Sequence, residues 1–187
     1  MTQADQSSLR SVCVFTGSAP GARQAYREAA VALGRALVRR GLTLVYGGAH
    51  VGLMGALADT VLAGGGRVVG VMPQGLVDRE VAHEGLSEFI VTADMHERKA
   101  RMASLAGAFV ALPGGYGTLE ELFEAVTWAK LGLHRKPVGL LDVDGYWDGL
   151  RAFLEHAWRE GFIPPLEQHL LWEADPERML DRLEAQG

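Results

Sequence analysis

The sequence predicts an α/β protein with an open, Rossmann-like parallel sheet of about seven strands and helices on both faces. Short apolar runs alternate with longer stretches of helical periodicity along nearly the whole chain. This alternation is typical of β–α units that build a parallel sheet. A closed barrel is disfavoured because 187 residues are too few for eight such units.

The predicted strands are short apolar runs that end in glycine-rich or polar loops. They cover residues 12–16, 42–46, 67–72, 89–92, 108–112, 137–141 and 169–172. Ligands of open parallel sheets bind at the carboxyl ends of the strands. The candidate site loops are therefore those that follow Thr16, Tyr46, Met72 and Leu112.

The predicted helices lie between these strands, and the segment 73–88 is expected to be a loop with a short helix. The helices cover residues 24–40, 53–63, 95–105, 118–131, 147–158 and 176–183. Asp94 is a suitable N-cap for the third of them. No repeat or linker divides the chain, so residues 1–187 are expected to form a single domain, with residues 1–10 as a flexible N-terminal tail.

Composition narrows the function classes. The net charge of −5 argues against a nucleic-acid-binding surface, which normally carries a basic excess. The single cysteine, Cys13, cannot form an internal disulfide and is interpreted as a buried strand thiol. No signal peptide and no membrane-spanning run is predicted. The expected location is the cytoplasm, with no metal, cofactor, nucleic acid or membrane as partner.

The most informative motif is the loop Pro113-Gly114-Gly115-Tyr116-Gly117-Thr118-Leu119-Glu120-Glu121. Its three glycines allow backbone N–H groups to approach an anion, and the following helix adds its positive N-terminal dipole. The loop is not a Walker loop, because no Lys-Ser/Thr follows the glycines. It is not a dinucleotide fingerprint either, because Glu120 stands where the third glycine should be. The motif therefore indicates a phosphate cradle.

A second interpretation of Glu121 remains open at this point. Thr118 and Glu121 fit a capping box, in which Thr118 caps the helix and Glu121 reaches back to the Thr118 N–H. Capping would explain the acid nearly as well as catalysis.

The segment Met95-His96-Glu97-Arg98-Lys99-Ala100-Arg101 places cations in the first turns of a helix, where they oppose the helix dipole. Arg98 offers a bidentate fork for a phosphate or carboxylate. The alternative is a solvated charged face with Glu97 and Arg101 paired at i,i+4. From the residues alone, neither interpretation is favoured.

Three other segments are weaker candidates. Glu80 would be a second carboxylate for glycosidic-bond chemistry, although an ordinary loop acid is the simpler interpretation. The dipeptides Gly17-Ser18 and Gly47-Gly48 follow predicted strands, so their backbones could help to hold a nucleotide. Ordinary turns would explain them nearly as well.

The two long motifs together resemble the LONELY GUY family, whose members are cytokinin riboside 5′-monophosphate phosphoribohydrolases and, among bacteria, AMP nucleosidases. The resemblance extends from Ser11 to about Leu183 and includes Gly52-Leu53-Met54-Gly55, residues 136–141 and Asp144-Gly145-Tyr146-Trp147. It implies hydrolysis of the N-glycosidic bond of an adenine-type nucleoside 5′-monophosphate, without a cofactor, by a Rossmann-like homodimer. The segment with Trp128, Leu131 and Leu133 is expected to be part of the interface.

The resemblance also implies residue roles. It assigns catalysis to Arg98 and Glu121. The complete set of expected substrate contacts is Gly17, Ser18, Gly47, Gly48, Glu80, Arg98, Lys99, Gly114, Gly115, Tyr116, Gly117, Thr118, Leu119, Glu120, Glu121 and Thr127.

Three rival functions remain. A nucleotide or molybdenum-cofactor carrier of similar fold is disfavoured by the complete Arg98 and Glu121 pair. A lysine decarboxylase would need pyridoxal phosphate on one of three lysines in a fold too small for that class of enzyme. A Rossmann oxidoreductase would need the missing Gly-x-Gly-x-x-Gly.

Overall fold

The computed structural model describes residues 9–77 and 82–186, and its strands are all parallel members of a single sheet. The strands are β1 (Ser11–Phe15), β2 (Thr43–Tyr46), β3 (Val68–Pro73), β4 (Glu88–Thr92), β5 (Ala108–Ala111), β6 (Val138–Leu141) and β7 (Leu171–Glu173). Each lies within two residues of its prediction, which confirms the predicted fold class.

The helices alternate with the strands along the chain. They are α1 (Gln24–Arg39), α2 (Gly52–Ala63), α3 (Gln74–Val77), α4 (Met95–Leu105), α5 (Tyr116–Lys130), α6 (Asp148–Arg159) and α7 (Pro176–Glu184), with a short 3₁₀ turn at Leu166–Gln168. The order of strands in the sheet is β4-β3-β2-β1-β5-β6-β7.

Two apolar cores lie on opposite faces of the sheet. One core joins α1, α2 and α7 to the first face, through residues such as Leu33, Leu57 and Leu180. The other joins α4, α5 and α6 to the second face, through residues such as Met102 and Leu122. The predicted placement of helices on both faces is confirmed, because side chains of the central strands β1, β2 and β5 alternate between the two cores. Cys13 is fully buried within β1, as predicted.

The strand order reverses beside β1, and this position defines the candidate binding crevice. β1 pairs with β2 on one side and with β5 on the other, both in parallel. The loops after β1 and β5 therefore diverge to opposite faces, and ligands bind at such a switch point.

Two expectations need comment here. Residues 1–8 of the predicted tail lie outside the described residues, whereas residues 9 and 10 contact the rest of the fold. Leu9 packs against the first core, and the Arg10 carbonyl accepts a hydrogen bond from the Thr43 N–H at 2.9 Å. In the described part of the chain, no helix has the length and apolar character needed to cross a bilayer.

Candidate active site

Arg98 is positioned by a capping box at the start of α4. The Asp94 carboxylate accepts a hydrogen bond from the Glu97 N–H at 2.8 Å, and the Glu97 carboxylate accepts one from the Ala93 N–H at 2.7 Å. These reciprocal bonds satisfy N–H groups that the helix itself leaves unpaired. The proposed Glu97–Arg101 pair is not formed, because Glu97 turns back toward the helix start instead.

The Arg98 side chain lies across the carboxyl edge of the sheet. Its Nε donates to the Val71 carbonyl at 3.0 Å, which ties it to β3. Its Nη2 packs against Gly47, where a Cβ atom would collide with the guanidinium. A side chain at position 47 would therefore require the Arg98 guanidinium to move from its present position.

Arg98 and Glu121 form a largely buried ion pair that joins α4 to α5. The distance from Arg98 Nη1 to Glu121 Oε1 is 3.3 Å, and the two side chains are only 12% and 11% exposed. The contact does not have hydrogen-bond geometry, and Glu121 Oε1 has no hydrogen-bond partner among the described residues. A carboxylate oxygen that is buried and incompletely bonded is unusual, and it suits a group that completes its bonding with a substrate.

The surroundings of Glu121 raise its pKa above that of an ordinary glutamate. Burial raises the pKa of the Glu121 carboxyl, and the Arg98 guanidinium opposes this by stabilising the carboxylate. Glu120 and Glu124 push the pKa upward, and Lys99 lowers it. A buried acid with a raised pKa beside a cation is the kind of group found at catalytic sites.

Lys99 is held by two carboxylates on α5. Its Nζ lies 3.0 Å from Glu124 Oε1 and also contacts Glu120 Oε1. The hydrogen bond to Glu120 is the main reason that the pKa of Lys99 is raised. Glu120 is 52% exposed, whereas Glu124 is 24% exposed. Two acids at i,i+4 repel each other on a helix unless a cation lies between them, as Lys99 does here.

A small cavity lies behind this charged cluster. It has a volume of about 20 Å³, and its wall includes Lys99, Glu121, Glu124, Phe109 and Trp128. That volume admits roughly one water molecule, and the three ionisable side chains supply the polar partners that a buried water requires.

Helix α5 begins two residues before the predicted start, and this decides the open question about Glu121. Gly115 is the N-cap residue and no side chain caps the helix, while Thr118 lies within the first turn and is buried. Thr118 therefore caps nothing, and Glu121 faces Arg98 rather than the helix start. The capping-box interpretation was wrong.

Close packing excludes a side chain at only one of the three glycines of the loop. A Cβ atom at Gly114 would collide with Thr118 Oγ1 and the Gly17 backbone, so close packing of the loop excludes any side chain there. At Gly115 and Gly117, a Cβ atom would meet nothing, and neither residue has a positive φ. Nothing in the described chain requires glycine at these two positions, which is consistent with a ligand that approaches the backbone closely.

An open cavity of about 250 Å³ lies beside the loop, at the point where the strand order reverses. Gly17 and Ser18 line one side, Gly114 and Gly115 another, and Tyr146 a third. The structure therefore brings the predicted Gly17-Ser18 segment next to the glycine loop. A hydrogen bond of 3.1 Å from the Gly17 N–H to the Pro113 carbonyl joins the two segments.

Several predicted site residues lie elsewhere. Thr127 is exposed and lines a separate apolar groove between α5 and the segment 163–170, away from the Arg98–Glu121 pair. Gly48 has a φ of +83° and its carbonyl accepts a hydrogen bond from the His83 N–H, so a turn accounts for this glycine. Tyr116 projects into solvent at the helix start. Glu80 lies outside the described residues.

Two residues of the site were missed as candidates. Glu124 could have been found from its i,i+4 spacing to Glu120, because two acids at this spacing repel each other unless a cation lies between them. Tyr146 contacts the glycine loop from the β6–α6 connection, and no local pattern indicates that contact.

A known protein family and its named relatives match most of this chain. The family described as "Possible lysine decarboxylase" matches residues 54–183. A probable cytokinin riboside 5′-monophosphate phosphoribohydrolase of Oryza sativa subsp. japonica is 54% identical over 180 residues, which are 96% of this chain and 79% of the relative. A cytokinin riboside 5′-monophosphate phosphoribohydrolase of Arabidopsis thaliana is 51% identical over 177 residues, which are 95% of this chain and 82% of the relative.

Solved structures share the fold. The molybdenum cofactor binding protein of Rippkaea orientalis matches with a TM-score of 0.71 at 20% identity, over 95% of this chain and 96% of that one. The Moco carrier protein of Chlamydomonas reinhardtii matches with a TM-score of 0.71 at 21% identity, over 96% and 99%. At such identities the likeness concerns the fold alone.

The cluster around Lys99 can be tested without any ligand. We expect Glu124→Gln to lower the pKa of Lys99, because the substitution removes a carboxylate that stabilises the ammonium. The chain has only Lys99, Lys130 and Lys136, so lysine side-chain carbon NMR resolves each titration. Glu28→Gln, at an exposed position on α1, is the matched control. An unchanged Lys99 pKa in Glu124→Gln would contradict the ion pair.

Proposed function

The chain belongs to the LONELY GUY family of cytokinin riboside 5′-monophosphate phosphoribohydrolases, and we propose that its Arg98–Glu121 pair cleaves the N-glycosidic bond of an adenine-type nucleoside 5′-monophosphate. The products are the free base and ribose 5-phosphate. The observation that carries the proposal is the buried Arg98–Glu121 ion pair, which lies at the carboxyl ends of β2 and β3, where Arg98 contacts Gly47 and Val71. It is accompanied by a glycine loop suited to a phosphate.

The 5′-phosphate is assigned to the N-terminus of α5. The N–H groups of Tyr116, Gly117 and Thr118 have no partner within the helix, and the helix dipole adds partial positive charge there. Helices α1 and α2, which also begin near the open cavity, likewise lack side-chain caps. In contrast, α4 and α7 are capped by Asp94 and Asp175. Uncapped helix ends around one cavity favour an anionic ligand.

The proposed reaction breaks the bond between C1′ of the ribose and the base nitrogen. Water supplies a hydroxyl group to C1′ and a proton to the departing base. The ribose passes through a state that resembles an oxocarbenium ion, with positive charge near C1′. This hydrolysis requires no redox step and no cofactor, because water supplies both the hydroxyl group and the proton.

Glu121 is assigned to the stabilisation of the positive charge that develops near C1′ of the ribose. As a carboxylate, it would stabilise the developing charge on the ribose and accept a proton from the attacking water. Its burial strengthens both effects, because little solvent screens the charge. Arg98 would keep Glu121 in its carboxylate form and polarise the phosphate or the departing base.

Lys99 has a different proposed role. Its ammonium is already neutralised by Glu120 and Glu124, so a substrate contact needs the exchange of one carboxylate for the nucleotide. Glu120 is the more exposed of the two and is the partner expected to leave. Glu124 would then keep Lys99 beside the site.

We further propose that the protein is a homodimer. Large apolar side chains are exposed at the end of α5 and along the neighbouring segments, among them Leu131 at 66%, Leu133 at 68% and Phe162 at 79%. Exposed apolar clusters of this kind typically mark interfaces. Thr127 lines a groove on this side of the fold, so a partner subunit would be needed to bring Thr127 to an active site.

The assignment of the catalytic pair predicts that Glu121→Gln and Arg98→Ala each lower the rate of adenine release from AMP by about 10²–10⁴-fold. Each substitution removes one charge of the pair without enlarging a side chain. Base release is followed by chromatography, with circular dichroism to show that the variants fold.

The matched controls are Glu28→Gln and Arg35→Ala, both at exposed positions of α1 and expected to keep wild-type rates. Wild type should release base from AMP and from isopentenyladenosine monophosphate, and leave adenosine intact because it lacks the phosphate. Full activity in Glu121→Gln would remove this residue from the mechanism. Equal turnover of adenosine would remove the phosphate from recognition.

The pH dependence follows from the raised pKa of Glu121. The carboxylate is the working form, so kcat/KM for AMP, which reports the free enzyme, should fall as the pH is lowered through that pKa, at a value above the ordinary glutamate pKa of about 4.3. The groups that face Glu121 are Arg98 and Lys99 on α4 and Glu120 and Glu124 on α5, with Cys13 on β1. An acidic limb at or below about 4.3 would contradict the role of the buried carboxylate.

The proposed homodimer is tested by molar mass in solution. Wild type should have twice the mass of the chain, and Leu133→Asp should shift it toward the monomer because a charge is placed in an apolar contact. Light scattering during gel filtration measures both. A monomeric wild type at full activity would exclude a site that needs the partner subunit.

A further inference from the structure

The connection between β6 and α6 is a turn that is stabilised by internal hydrogen bonds and lies next to the glycine loop. The Asp142 carboxylate accepts hydrogen bonds from the Gly145 N–H at 3.2 Å and the Trp147 N–H at 3.1 Å. Asp144 and Gly145 both have positive φ, of 52° and 72°, and such values define a specific turn rather than a loose loop. The turn therefore presents Tyr146 in a fixed direction.

Tyr146 reaches from this turn to the glycine loop. Its hydroxyl donates a hydrogen bond of 2.6 Å to the Gly114 carbonyl. Its ring is held by edge-on contacts to Tyr26 and Trp147, with centroid distances of 5.5 and 4.8 Å. The hydroxyl and the carbonyl both belong to the wall of the open cavity.

A bond to the Gly114 carbonyl fixes more than that one atom. The C=O of Gly114 and the N–H of Gly115 belong to the same planar trans peptide, so they point in opposite directions. With the carbonyl held by Tyr146, the Gly115 N–H must point away from it. This N–H makes no hydrogen bond within the described part of the chain.

Without such a bond, the peptide between two glycines rotates easily, because neither residue has a Cβ atom to restrict it. A rotated peptide would turn the partial negative charge of the carbonyl toward an anion at the α5 N-terminus. Gly114 itself cannot be replaced by a stiffer residue, since any side chain there would collide with Thr118. The restraint must come from elsewhere in the fold.

We propose that Tyr146 is a positioning residue: its hydroxyl fixes the Gly114–Gly115 peptide so that the Gly115 N–H stays available to the 5′-phosphate of the substrate. This role rests on the proposed function, because it assumes a phosphate at the glycine loop. Tyr146 acts through the backbone and needs no contact with the reacting atoms. Its loss should therefore weaken phosphate binding and leave the bond-breaking step intact.

The first test needs no nucleotide. Tyr146→Phe keeps the ring and removes the hydroxyl, so the carbonyl carbon resonance of Gly114 and the amide resonance of Gly115 should shift in NMR spectra. Tyr26→Phe is the matched control, because the Tyr26 hydroxyl makes no hydrogen bond within the described residues, and these two resonances should stay in place.

The second test measures phosphate recognition. The affinity for ribose 5-phosphate, and for AMP in a Glu121→Gln background that prevents turnover, should fall roughly fivefold in Tyr146→Phe, as for the loss of one hydrogen bond. In the catalytically competent background, KM for AMP should rise by a similar factor while kcat changes less than about twofold. A merely structural role would lower kcat and the melting temperature instead.

The outcomes separate the two proposals. Unchanged Gly114 and Gly115 resonances in Tyr146→Phe, or shifted resonances with unchanged affinity for ribose 5-phosphate, would overturn the positioning role alone. A wild-type protein that binds no ribose 5-phosphate and releases no base would overturn the proposed function and the role together. Shifted resonances with a selective rise in KM would support the role.

Discussion

The buried ion pair between Arg98 and Glu121 is the interaction on which the rest of the site depends. Two charges that are removed from water lose hydration energy, and their attraction does not always compensate for it. Burial keeps the pKa of Glu121 raised despite the adjacent guanidinium, which shows that desolvation dominates. Such a pair contributes little to the stability of the folded protein, since apolar residues of similar size would stabilise it equally or more. Its position at the carboxyl edge of the sheet agrees with the proposed catalytic role.

The second constraint is the close approach of backbone segments around this pair. Gly47 makes room for the Arg98 guanidinium, and Gly114 makes room for Thr118. Gly52, with a φ of +61°, lies so close to the Ser18 carbonyl that a side chain would collide with it. These glycines draw the ends of β1, β2 and β5 together. The site thus depends on close contacts of glycine backbone with the Arg98 guanidinium, with Thr118 and with the Ser18 carbonyl.

Local sequence patterns predicted the fold well and the site only in part. Strands and helices follow from periodicity within short windows, so their bounds agree to within about two residues. The role of Glu121 could not be decided in this way, because capping and ion pairing differ in a partner on another helix. The structure decided it through Gly115, which takes the N-cap position and leaves Thr118 inside α5. The Lys99 cluster is a different case. The i,i+4 spacing of Glu120 and Glu124 on α5 indicated that a cation lies between them, but it did not indicate that this cation is Lys99 on α4.

The backbone frame of the site can be distinguished from the charged groups that it carries. The molybdenum cofactor proteins share this architecture at about one-fifth identity, so their likeness to this chain concerns the fold alone. Bond cleavage needs a carboxylate that is buried, incompletely hydrogen-bonded and adjacent to a fixed cation, as Glu121 is. In the proposed mechanism these conditions depend on one side chain from α4 and one from α5, and not on the sheet, so the loss of either side chain should remove bond cleavage while the frame stays intact.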